Sequence, residues 1–422
     1  MQYNEMSKTQ LNELKTKLYA EYDEVKKLGL SLDMSRGKPN KEQLDISLPM
    51  LSVMNNADDC IAENGFDCRN YGVLDGVPEC KKLFAEMLDV DDKNIIIGGS
   101  SSLNLMYDYL NQCMFLGVSG CKPWKEQGNV KFICNVPGYD RHFAITEFFG
   151  IEMIPVEMEN DGPDVEKIRE LIKDSSVKGM FCVPKYSNPQ GITYSDEKVK
   201  ALAALKPAAK DFRVIWDNAY IVHELTDNPD VLMNIFTPAC ENGTEDYFVE
   251  FTSTSKISFP GAGVSAIAAS DNNIKEIKKR LNYQTISYDK LNQLRHVKYF
   301  KNVDGIKEQM KKHASIIAPK FKIVLDTLNK EIAPLNIGEW ANVKGGYFVS
   351  YNTTIGSAKR IGELCKDAGL VLTTVGATYP HGVDPFDRNI RIAPTFPSNE
   401  NLSKAIDVFC LCAKIAAVEA LI

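Results

Sequence analysis

Residues 248–258 read Phe248-Val249-Glu250-Phe251-Thr252-Ser253-Thr254-Ser255-Lys256-Ile257-Ser258. A short apolar run, enough for one strand, ends in a cluster of hydroxyls around a lysine. A lone lysine in a loop is ordinarily solvated. At a strand exit shielded from water, its amine can lose its proton more easily and attack an electrophilic carbon. The same pattern recurs upstream. Ile95-Ile96-Ile97 ends in Gly98-Gly99, Phe132-Ile133-Cys134 in Asn135-Val136-Pro137-Gly138, Met180-Phe181-Cys182-Val183 in Pro184, and Phe212-Arg213-Val214-Ile215-Trp216 in Asp217. Helical stretches lie between them, including Val165 to Ile172 and Ser195 to Leu205. Strands alternating with helices predict crossover connections and a mainly parallel sheet covered on both faces. The expected fold class is α/β, with a three-layer large domain.

Outward from this core the pattern changes. Leu11, Leu14, Leu18, Tyr22, Val25 and Leu28 form one apolar stripe of a first helix, opened by a Ser7/Gln10 capping box and stopped by Gly29. Asp33 to Asn40 has loop chemistry. After about residue 275 the chain turns helical and charged (Asn273 to Leu281, Val303 to Leu328). Sheet signals return at Gly346-Tyr347-Phe348-Val349-Ser350 and Asn389-Ile390-Arg391-Ile392. The expected division is an N-terminal helix and arm joining the small domain (1–47), a large domain (48–300) and a smaller α+β domain (301–422).

The chain has 422 residues, and its 49 basic against 56 acidic residues leave a charge of −7, which argues against non-specific nucleic-acid binding. No run approaches the roughly 18–20 apolar residues of a membrane helix, and Met1-Gln2-Tyr3-Asn4-Glu5 lacks the apolar core of a signal peptide. The 11 cysteines are odd in number and scattered without a CxxC pair, so reduced thiols in a cytoplasm are expected. The 5 histidines are too dispersed for a local metal motif. Small molecules, not nucleic acid or membrane, are the expected partners.

In open parallel sheets, ligands bind beyond the carboxyl ends of the strands. After Ile97 come Ser100, Ser101 and Ser102 before a helix, either a plain N-cap or an anion cradle of N–H groups and hydroxyls. After Cys134 comes Tyr139, a core side chain or a platform for a planar ring. After Val183 comes Asn188, in an Asx turn or offering a donor and an acceptor. After Trp216 comes Asp217, a helix cap or a carboxylate that needs a cation if buried. After Phe251 come Ser253, Ser255 and Lys256. No single exit decides, but the set does: a phosphorylated pyridine aldehyde needs a lysine amine, a carboxylate at its ring nitrogen, and donors for phosphate and phenolate.

In this order the sequence resembles the fold-type I pyridoxal-phosphate aminotransferases of class I/II, from about Gly37 to Arg391. Ser253-x-Ser255-Lys256 resembles the signature around the lysine that carries the cofactor. Asp217-x-x-Tyr220 resembles the pair at the pyridine nitrogen and the O3′ oxygen, and Asn188-Pro189-x-Gly191 the asparagine that also touches O3′. Pro137-Gly138-Tyr139 resembles the ring-stacking segment, and Tyr71-x-x-x-x-Gly76 the segment whose tyrosine reaches the partner subunit's phosphate. Arg391 resembles the arginine that grips the substrate α-carboxylate, with Gly37 near it. The resemblance therefore implies pyridoxal 5′-phosphate, a homodimer, and transamination with Lys256, Asp217 and Tyr220 as catalytic residues.

Three departures stand out. Pro260-Gly261-Ala262-Gly263 has glycine where the family usually has a phosphate-binding arginine, and the serines at 100–102 are expected to compensate. Serine also replaces the usual Lys or Thr of the glycine-rich turn, and Ser35-Arg36-Gly37-Lys38-Pro39 is unusually basic. Together they resemble an atypical aspartate aminotransferase subgroup, which implies L-aspartate and 2-oxoglutarate as the pair. A second cation must then read the side-chain carboxylate, and Arg36 and Lys38 are the candidates. A C–S β-lyase or a decarboxylase on the same scaffold is the first rival. A cofactor-binding transcription regulator is the second, disfavoured because only about 30 residues precede Gly37. Gly261-Ala262-Gly263-Val264-Ser265-Ala266 imitates a dinucleotide fingerprint but is expected to enter a strand, not a helix.

Overall fold

The computed structural model describes residues 2–422. The apolar runs become strands because β-branched and aromatic side chains pack well on a sheet buried on both faces. Every residue of Val177–Cys182, Arg213–Asp217 and Phe248–Ser253 is buried. They belong to an 8-stranded sheet. Across it lie, in order, Ile95–Ile97, Ser265–Ala269, Phe248–Ser253, Arg213–Asp217, Val177–Cys182, Lys131–Val136, Glu152–Glu159 and Gly162–Pro163. The strands from Phe248–Ser253 to Glu152–Glu159 pair parallel, while Ser265–Ala269 runs antiparallel to both its neighbours. Consequently the exits at Ile97, Val136, Cys182, Asp217 and Ser253 share one edge. Pro260–Ala262 is a single turn and Ser265–Ala269 a strand, so no helix opens at the dinucleotide-like motif.

The first helix spans Lys8–Lys27, and its Ser7/Gln10 capping box is formed. Its stripe packs with Phe321, Val324, Leu328 and the helix Asn399–Leu421 in one core. A second core joins Ile95, Ile97 and Cys80 to Val303, Ile306 and Met310. The 29-residue helix Val303–Glu331 therefore serves both cores. Two short segments differ from expectation. Asp33 and Met34, read as loop from their polar neighbours, join Leu32 in a strand that pairs parallel with Leu370–Leu372. The strand expected from Gly346 begins only at Val349, because Gly345 and Gly346 turn tightly over Tyr186. It pairs with Gly338–Trp340 and Asn389–Ile392, setting Arg391 beside Ser350. The Leu32–Met34 pairing carries Arg36 and Gly37 to the same end of the molecule.

Candidate active site

At the shared edge lies a cavity of about 530 Å³, within the range that holds a small ligand. The strand exits line it with Ser101 and Ser102, Tyr139, Asn188, Asp217 and Tyr220, Ser253, Ser255 and Lys256; the other wall brings Arg36, Gly37 and Arg391. These candidates, distant in sequence, meet in one space.

Lys256 projects its amine over the Tyr220 ring, 4.8 Å from the centroid, with Tyr347 at 5.8 Å. Burial lowers its pKa, and the Asp217 charge offsets part of that. Asp217 is the last residue of its strand and is not a helix cap. Its side chain is buried, and Oδ2 lies 3.0 Å from His142 Nε2. Oδ1 has no hydrogen-bond partner. A buried carboxylate oxygen left open is costly, so it marks a place for a cationic donor. Sequence reasoning missed His142. Its ring stacks on Phe181 at 4.2 Å and meets Tyr139 edge-on at 5.0 Å, which fixes the imidazole against Asp217. The spacing of three residues from Tyr139, one turn into the helix Asp140–Phe148, was the available signal. Burial pushes the Tyr139 hydroxyl up to about 12 and also raises that of Tyr220, so both remain protonated donors at neutral pH.

The helix Ser102–Leu116 begins at this edge, and Ser101 makes no capping bond. The first N–H groups of a helix have no partner within it, which makes this an anion cradle. Ser253 donates to Ser255 at 3.0 Å, and Ser255 donates to the Ser100 carbonyl at 2.9 Å. Ser100 is thus a correction: its side chain does not line the cavity, and it acts through its carbonyl. Gly263 explains the missing arginine. A Cβ there would lie 3.0 Å from the Ser100 oxygen and 3.2 Å from the Ser255 nitrogen.

Arg391 Nη1 donates to Asp140 at 2.8 Å and to Asn188 Oδ1 at 3.2 Å, and the guanidinium sits 4.8 Å above the Phe348 ring. A Cβ at residue 37 would fall 2.5 Å from that ring, so only glycine lets the arm pass so close. Arg36 lines the cavity, but Lys38 does not. This is a second correction: the Lys38 amine rests 3.9 Å from the Phe396 ring centroid. Tyr71 does not reach this cavity either; it is 77% exposed. Asp140 and Arg141, both lining residues, were not singled out in the sequence.

The family described as aspartate amino-transferase matches residues 6–422. A protein called putative aminotransferase from Mycolicibacterium smegmatis is 45% identical over 95% of this chain and 94% of its own length. Aspartate aminotransferase from Corynebacterium glutamicum is 43% identical over 94% of this chain and 92% of its own. The crystal structure of an aspartate transaminase from Corynebacterium glutamicum superposes with a TM-score of 0.98 at 40% identity, covering 100% of both chains.

Proposed function

Because the chain belongs to the aspartate aminotransferase family and is an aminotransferase of amino acids, we propose that it uses pyridoxal 5′-phosphate to exchange the amino group between L-aspartate and 2-oxoglutarate. The observation that carries this is the open, buried Oδ1 of Asp217 in the same cavity as a lysine whose pKa burial depresses. The donor set fits the cofactor. Lys256 would hold it covalently, Asp217 its ring nitrogen, Tyr220 and Asn188 its phenolate, and Tyr139 its ring face. Ser101, Ser102, Ser253 and Ser255 would hold the phosphate, with the helix N-terminus. When bound, it supplies an electron sink for the carbanion left when the substrate Cα–H bond breaks.

The chain's own groups do the rest. Arg391 orients the amino acid through its α-carboxylate, a two-bond contact that fixes direction as well as charge. Lys256, once its amine is free, lifts the proton from Cα and later returns it as an acid. His142 holds the Asp217 carboxylate in place. Assaying the purified enzyme with L-aspartate and each of several keto acids tests the proposal. Oxaloacetate should form with 2-oxoglutarate and glutamate should accumulate in equal amount. Keto acid released without any acceptor would instead mark a lyase.

Arg391→Ala is expected to raise KM for every amino acid, dicarboxylic or not, by about 10–100-fold, the scale of a charged hydrogen bond lost. Steady-state kinetics with aspartate and alanine check it; a loss confined to aspartate would move Arg391 to the side-chain carboxylate.

The reading extends to a cytoplasmic homodimer with sites at its interface. An exposed Tyr71 outside its own cavity supports the assembly, in which it would serve a neighbour's phosphate. Mixing inactive Lys256→Ala with a Tyr71→Ala variant should recover activity through hybrid dimers carrying one intact site. No recovery, with a monomer on light scattering, would contradict it. The division into 1–47 with 301–422 and 48–300 is part of the same reading: the core that joins Leu18 to Val324 and Phe409 supports the first unit, while Val303, Ile306 and Met310 pack with the large domain.

A further inference from the structure

The sequence contains ten arginines. Eight of them donate from the side chain to a named partner: Arg69, Arg169, Arg213, Arg280, Arg295, Arg360, Arg388 and Arg391. Among the described residues only Arg36 and Arg141 have no such partner, and both line the active-site cavity. They come from distant parts of the chain. Arg36 follows the strand Leu32–Met34 on the small-domain side, and Arg141 sits in the first turn of Asp140–Phe148 on the large-domain side.

The charges facing the cavity sharpen this. Its carboxylates are Asp140 and Asp217. Asp140 is engaged by Arg391 at 2.8 Å, and Asp217 by His142 at 3.0 Å. Neither neutralises Arg36 or Arg141. Arg141 also acts at the reacting end: its charge, like that of Arg391, pulls the Tyr139 hydroxyl pKa down against burial and the Asp217 and Asp140 charges. Two free guanidiniums lining one small cavity call for an anionic group there, and Arg391 already serves one carboxylate.

We propose that Arg141, together with Arg36 in the same cavity, binds the side-chain carboxylate of a four- or five-carbon dicarboxylic substrate. The assignment rests on the aminotransferase reading above. It makes Arg141 a specificity-determining residue, and it replaces Lys38, which the structure turns away. A side-chain carboxylate gives both guanidiniums a partner, whereas a monocarboxylate held by Arg391 leaves both in water.

Titration calorimetry on the cofactor-loaded enzyme tests this with succinate, a dicarboxylate lacking an amino group, and propionate as the monocarboxylate. The wild type should bind succinate more tightly. Arg141→Gln should weaken succinate by about tenfold to a hundredfold, the range of one charged hydrogen bond, and propionate by less than about twofold. Arg141→Lys should recover part of the loss, and Arg36→Gln should act in the same direction as Arg141→Gln. In kinetics, Arg141→Gln should lower kcat/KM for aspartate through KM while alanine changes little, a split that general damage to the fold would not produce. Equal weakening of both ligands, or unchanged succinate binding in Arg141→Gln, would overturn the role of Arg141. A wild type that does not prefer succinate would overturn the dicarboxylate reading itself.

Discussion

Lys256→Ala is expected to lower transamination by roughly 10⁴-fold or more, with the fold intact. The residue has two duties, attachment point and proton carrier at Cα. Positioned acid–base catalysis alone contributes about 10²–10⁴-fold, and loss of covalent attachment adds to that. Among the described residues Lys256 is the one lysine lining the cavity, so no other lysine there stands ready to substitute. Burial disfavours the charged form of the amine and lowers its pKa, which favours its role as a base. Aspartate-dependent keto acid formation, measured beside circular dichroism, checks the expectation. Activity within tenfold of wild type would remove Lys256 from the chemistry.

Asp217→Ala should retain the cofactor but lose about 10³-fold or more in transamination. Asp217 has one oxygen on His142 and the other open in a dry setting. A carboxylate there is stable only with a positive partner, and breaking a buried ion pair by removing one member costs about 3–5 kcal/mol. The cofactor would still be held by Lys256 and the serine cradle, so binding and turnover should separate. Absorbance of the bound cofactor reports the first and single-turnover kinetics the second. Turnover near wild type would mean that a charged ring nitrogen is not what drives the reaction.

The strand exits were legible because each couples an apolar run to a break in the pattern. Ile95–Ile97 before Gly98 and Val177–Cys182 before Pro184 could scarcely be anything but buried strands. Glu152–Glu159 was not legible: its Glu152, Glu157 and Glu159 face outward and Pro155 interrupts the run, so the apolar signal is faint near the sheet edge. Leu32–Met34 was hidden for a different reason. A three-residue strand has no periodicity to read, and its partner Leu370–Leu372 lies over 300 residues away. In the site, Lys256, Asp217, Asn188 and Arg391 stood at element ends and could be seen there. His142 and Arg141 could not, because their meaning depends on which wall the first turn of Asp140–Phe148 faces. Ser100 and Lys38 looked equivalent to their neighbours in sequence. A carbonyl that accepts from Ser255 and an amine laid on Phe396 set them apart.

The most direct test is where the cofactor is attached. Reducing the pyridoxal 5′-phosphate-loaded enzyme with borohydride should fix the group irreversibly, and peptide mapping should place it on Lys256, within Ser253-Thr254-Ser255-Lys256-Ile257. Label on any other lysine, or no label on protein that still transaminates aspartate, would contradict the account.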